Sequence, residues 1–82
     1  MSELVIEYCV SCNYYPRAAA LAAELKKRFG IEARLDRSHG GVFEVTFSTN
    51  QGGELLFSKK KLGRFPQPGE VEAALEPLLG RP

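Results

Sequence analysis

Tryptophan is absent from the 82 residues, and histidine and cysteine are scarce, with His39 alone and Cys9 and Cys12 as a pair. A zinc centre needs four ligands, and these three residues fall one short, so no metal is expected. Charge of one sign is also lacking. Eleven Lys and Arg face ten Asp and Glu, a net charge of +1, which gives no global pull toward nucleic acid or a membrane. No apolar run approaches the length of a transmembrane helix. The short run Leu4–Ile6, preceded by acidic Glu3, does not read as a secretory signal, so a cytoplasmic location is expected. A phosphate-binding glycine motif is missing, and with it the usual sign of an organic cofactor. No repeat, low-complexity tract or linker divides the chain, and residues 1–82 read as a single domain. At this size folding buries roughly 60 % of the unfolded surface, enough for stability without a metal. No motif speaks to the oligomeric state.

What is present centres on Cys9-Val10-Ser11-Cys12. Leu4-Val5-Ile6-Glu7-Tyr8 reads as a buried strand running into the motif, and a helix follows it. Two cysteines at this spacing on a strand–helix junction are a redox signal. A thiol at a helix N-terminus feels the positive end of the dipole, which favours the reactive thiolate. A disulfide closing so short a loop would stabilise the fold only weakly, and a reducing compartment disfavours structural disulfides. The pair therefore reads as a reagent, not as a staple.

Periodicity predicts the remaining elements. A helix runs from about Tyr15 or Pro16 to Phe29, with Ala18, Leu21, Ala22, Leu25 and Phe29 on its apolar stripe and Gly30 as its stop. Residues 31–37 alternate apolar with charged, the pattern of an edge strand with one wet face. Ser38-His39-Gly40-Gly41 is a tight loop, residues 42–48 are a strong strand, and Thr49-Asn50-Gln51-Gly52-Gly53 is a hairpin loop. Residues 54–58 form a fourth strand, and Phe43, Val45, Phe47, Leu55 and Phe57 are assigned to packing. A second helix spans Glu70 to about Leu79, and Pro77 should kink it or end it early. The order is β-α-β-β-β-α. Strands one and two flank a helix and should be parallel. The most apolar strand belongs at the centre, which favours a four-stranded mixed sheet of order 2-1-3-4 with two helices. That order gathers the cysteines, Gly40-Gly41 and the lysine run at one end of the sheet.

The strand, the Cys-x-x-Cys, the aromatic-Pro helix start, Gly41-Val42-Phe43-Glu44-Val45 and Phe57-Ser58-Lys59-Lys60-Lys61 together resemble the selenoprotein W-related family, also called Rdx. The resemblance covers roughly residues 3–79. It implies a thioredoxin-like fold and a redox role. In the selenium-containing members the second motif position carries selenocysteine, which maps onto Cys12. Thioredoxin logic makes the first cysteine, Cys9, the attacker instead. The selenocysteine position favours Cys12 as the reactive residue, with Cys9 resolving. Thioredoxin-like enzymes usually place a cis-proline before the third strand, whereas this loop has none. Gly40 and Gly41 would let a partner's backbone approach there.

These residues point to a thiol–disulfide oxidoreductase cycling through Cys9 and Cys12, partnered by a redox protein or by glutathione as reductant. The alternative is a redox-sensing interaction module switched by the same pair. Lys59, Lys60 and Lys61 would favour thiolate formation and attract anionic partners, or serve as a solvated basic turn. Tyr14 and Tyr15 would form an apolar apron beside the motif, with Tyr15 alternatively in the core. Phe65 reads equally as an exposed recognition aromatic or as core. His39 would serve as a proton acceptor beside the cysteines, or simply stand exposed. Single-strand nucleic-acid binding is disfavoured by so short a basic cluster.

Overall fold

The computed structural model describes residues 2–50 and 52–79. Strand β1 (Glu3–Cys9) leads through a turn into helix α1 (Tyr15–Phe29). Strands β2 (Ala33–Ser38), β3 (Phe43–Thr49) and β4 (Gly52–Ser58) follow, then the short helices α2 (Lys59–Leu62) and α3 (Glu70–Leu75) and a 3-10 turn, Glu76–Leu79. Gln51 of the expected hairpin loop lies outside the described residues. Among those described, no helix is long and apolar enough to cross a membrane.

The sheet order is β2-β1-β3-β4, as apolarity alone suggested. β1 pairs parallel with β2 and antiparallel with β3, so the most apolar strand has neighbours on both sides. Leu4, Ile6 and Tyr8 alternate along β1 onto one face, and Phe43, Val45 and Phe47 do the same along β3. Ala18 and Leu25 of α1 and Val71 and Leu75 of α3 close over them. Edge strand β2 carries Arg34, whose guanidinium pairs with Asp36 and with Glu3 of β1, so charge protects that edge.

The structure departs from expectation at β2, at the β3–β4 hairpin, in the lysine run and at Leu55. Thr49, Gly52 and Gly53, expected in the hairpin loop, instead pair within the β3–β4 ladder. β2 begins two residues later than its alternation implied, because Ile31 packs on the core from the loop. The second helix ends early, as Pro77 implied: α3 stops at Leu75 and tightens into a 3-10 turn, since Pro77 has no N–H to continue the helix. The lysine run is not a turn but the helix α2, making three helices where two were expected. Ser58 caps it by accepting the Lys61 N–H at 3.2 Å, and Gly63 closes it with φ at 72°. Finally, Leu55 is 45 % exposed. Val45 opposes Phe57, but Thr46 opposes Leu55, so Leu56 is an extra residue in β4. This bulge turns Leu55 to the wet face while Phe57 stays in the core.

Candidate functional site

Cys9 is the last residue of β1, and its N–H donates to the Val42 carbonyl at 3.0 Å. The sheet order explains this contact. β2 and β3 lie on opposite sides of β1, so the connection 39–42 must cross the end of β1, where Cys9 sits. The crossing has two positive-φ residues, Gly40 at 77° and Gly41 at 75°, and open space surrounds both. Their role is backbone conformation. The neighbouring Val10 N–H donates to the Ser38 carbonyl at 3.0 Å, tying the turn to β2 as well. Cys9 is fully buried there, at 0 % exposure.

Cys12 lies in the turn 10–13 and is exposed. Asn13, at φ 63°, reverses the chain, a left-handed conformation that asparagine tolerates. The Tyr14 N–H then donates to the Cys9 carbonyl at 3.2 Å, and α1 begins. Cys9 and Cys12 are joined by a disulfide with Cα atoms 5.3 Å apart. One cysteine of the disulfide is therefore buried and its partner exposed. Ser11, which sequence reasoning passed over, places its hydroxyl 3.6 Å from the Cys9 sulfur. Its position inside the motif was the available signal. The first turn of α1 contains no acidic residue, and Pro16 occupies its start. Positive helix-end potential thus faces the motif without a counter-charge from that turn.

The other candidates divide. Tyr14 is half-buried and packs edge-on against Phe65, with ring centroids 4.8 Å apart. Tyr15 is 54 % exposed and leans on Tyr8 at 5.7 Å. The core alternative weighed for Tyr15 thus belongs to Tyr14, because Tyr15 opens the helix on its solvent side. Phe65 is half-buried between Tyr14 and Phe43, 5.4 Å from the latter, so it is both core edge and site wall. The Lys59 ammonium lies 5.5 Å from the Tyr14 and Phe65 ring centres, while Lys60 and Lys61 are exposed. Arg17, another residue not anticipated, stands 4.1 Å over the Phe65 ring. Its place in the first turn after Pro16 was the only hint. His39 is exposed, and no hydrogen bond joins it to either cysteine among the described residues. No cluster of three or more metal-ligating side chains occurs among them either.

The loop that presents Phe65 is pinned by Glu70. Its carboxylate receives the Arg64 guanidinium at 2.8 and 3.0 Å and the Gln67 N–H at 2.9 Å. These bonds, the arginine first, hold Glu70 down to about 2. The folded value is below the unfolded one, so this tether is complete above about pH 4.3 and is lost as the pH falls toward 2. Near-ultraviolet circular dichroism of the tyrosines should therefore change as the pH falls through about 2 and Tyr14 loses its partner. Glu70→Gln should remove that transition. A transition unchanged in Glu70→Gln would mean that the loop is held by something else.

The family model described as the Rdx family matches residues 3–76. "Migration and invasion enhancer 1" of Bos taurus is 32 % identical over 82 residues, 98 % of this chain and 68 % of that protein. The Mus musculus protein of the same name is 32 % identical over 74 residues, 89 % and 61 % respectively. The chain thus spans about two thirds of these relatives' length. The crystal structure of a selenoprotein W-related protein from Vibrio cholerae superposes with a TM-score of 0.80 at 29 % identity, covering 94 % of this chain and 95 % of that one. A Bordetella parapertussis protein gives a TM-score of 0.81 at 29 % identity, covering 93 % and 95 %. The fold they share with this chain is thioredoxin-like.

Proposed function

From a chain that belongs to the Rdx (selenoprotein W-related) family and sets an exposed sulfur against a buried one, we propose thiol–disulfide oxidoreductase activity through Cys9 and Cys12. The Cys9–Cys12 disulfide with only Cys12 accessible carries this reading. In the reduced protein the Cys12 thiolate attacks a substrate disulfide. A Cys12–substrate bond forms, the substrate's own S–S bond breaks, and one substrate thiolate departs. Cys9 then gives up its proton and attacks the Cys12 sulfur, releasing the second substrate thiolate and closing the internal disulfide. Two electrons pass to the substrate. Two external thiols reverse the change, and glutathione in the cytoplasm is the reductant we assign. The first of them attacks Cys12, because Cys12 is exposed and Cys9 is buried. Cys9 then leaves as the thiolate, to which the Ser11 hydroxyl, 3.6 Å away, can donate.

A coupled assay with glutathione, glutathione reductase and a model disulfide tests the cycle. Many turnovers per molecule are expected, and Cys12→Ser should reduce them to background. Redox-dependent binding of a partner without turnover would instead identify a sensor and sink the enzymatic reading.

A further inference from the structure

A groove of about 330 Å³ lies between α1 and the 65–69 loop, walled by Arg17, Phe43, Phe65 and Pro66 and also by the carboxylates Glu24 and Glu72. At its mouth the Tyr14–Phe65 ring pair is flanked by two cations from different elements, Arg17 of α1 and Lys59 of α2. Neither pairs with a carboxylate among the described residues. A guanidinium held over a ring keeps its edge N–H donors, the fork that fits a carboxylate. Such an uncompensated pair is electrostatically incomplete, and what it lacks is negative charge. The cluster adjoins the reactive turn directly, since the Tyr14 N–H is bonded to the Cys9 carbonyl. From Arg17 the groove runs along α1 to Glu24, seven residues or about 10 Å on, a course suited to several residues of chain and longer than a small anion needs. Glu24 and Glu72 at that far end repel negative charge, which confines a partner's acidic side chain to the Arg17 end.

We propose that this groove receives an extended segment of a partner protein whose target cysteine is flanked by acidic residues, read by Arg17 and Lys59. The proposal rests on the redox reading above and names its substrate class. The acidic side chain anchors on the two cations, and the flanking cysteine meets the exposed Cys12 sulfur. Electron transfer then follows the exchange already described.

The test uses the whole chain and two synthetic peptide disulfides that differ only in Asp-Glu or Asn-Gln beside the cysteine. At low salt the acidic peptide should react roughly tenfold faster in kcat/KM, the combined effect of two charge contacts, mainly through KM. Arg17→Gln with Lys59→Gln should bring the ratio of the two peptides near one, and so should about 0.5 M salt by screening. Arg17→Lys should retain part of it. No preference in the wild type, or one that survives in the double variant, overturns the proposal while leaving the chemistry intact. Failure of both peptides to react sinks the oxidoreductase reading instead. The surface is then judged by fluorescence anisotropy of the acidic peptide with serine in place of cysteine. This should bind the wild type and be lost in the double variant. Absence of binding overturns the docking proposal, as does succinate displacing the peptide as readily as unlabelled peptide does.

Discussion

Iodoacetamide added to the reduced protein is expected to label Cys12 far faster than Cys9. Cys12 stands in an exposed turn, whereas Cys9 is fully buried at the end of β1 and is reached only when the structure around it opens. An opening that costs about 3 kcal/mol slows labelling roughly a hundredfold, because each 1.4 kcal/mol is a factor of ten. Peptide mass spectrometry at timed quenches reads both sites in one experiment. The serine variants then separate attack from resolution. Cys9→Ser should accumulate a stable mixed disulfide at position 12, having nothing to displace it. Cys12→Ser should leave Cys9 inert until the protein unfolds. Faster labelling of Cys9 would reverse the assignment and return the attacking role to the first cysteine of the motif.

Removing the Phe57 ring is expected to cost about 3–5 kcal/mol, the usual loss for a buried phenylalanine replaced by alanine. Phe57 is 3 % exposed and faces Val45 across the β3–β4 pair. Domains of this class have only about 5–15 kcal/mol in total, so Phe57→Ala approaches the limit of folding. Each kcal/mol corresponds to roughly 4–8 °C in Tm at this size, and thermal unfolding should fall by more than about 10 °C. Leu55→Ala, two residues away, should change stability by no more than about 0.5 kcal/mol, because the bulge exposes that side chain. Equal losses at the two positions would mean that β4 pairs in regular register.

The alternation of β4 shows why sequence reading went astray there. Leu55, Leu56 and Phe57 form an unbroken apolar triplet, and period two alone puts Leu55 and Phe57 on one face. An inserted residue leaves no mark in composition, so only the pairing with β3 reveals it. The lysine run presented the same difficulty at a smaller scale. Four residues are too short for helical periodicity, and α2 exists because Ser58 and Gly63 close its ends. By contrast α1 was legible in full, since its stripe, its proline start and its glycine stop agree. Sheet order was legible too, through a physical argument. A strand buried on both edges must be the most apolar one, and β1 is.

The cysteine spacing, its place at a strand–helix junction and the resemblance to the Rdx family were all readable without coordinates, because each is local or an ordered string of local motifs. Which cysteine meets solvent was not, nor was the gathering of Arg17 and Lys59 at the Phe65 ring. Exposure is decided by what the chain lays across a residue. Here Cys9 lies buried where a loop some thirty positions downstream crosses the end of β1, a crossing that exists because β2 and β3 settle on opposite flanks of that strand. Local pattern fixes what a segment can become, and long-range packing fixes what it faces.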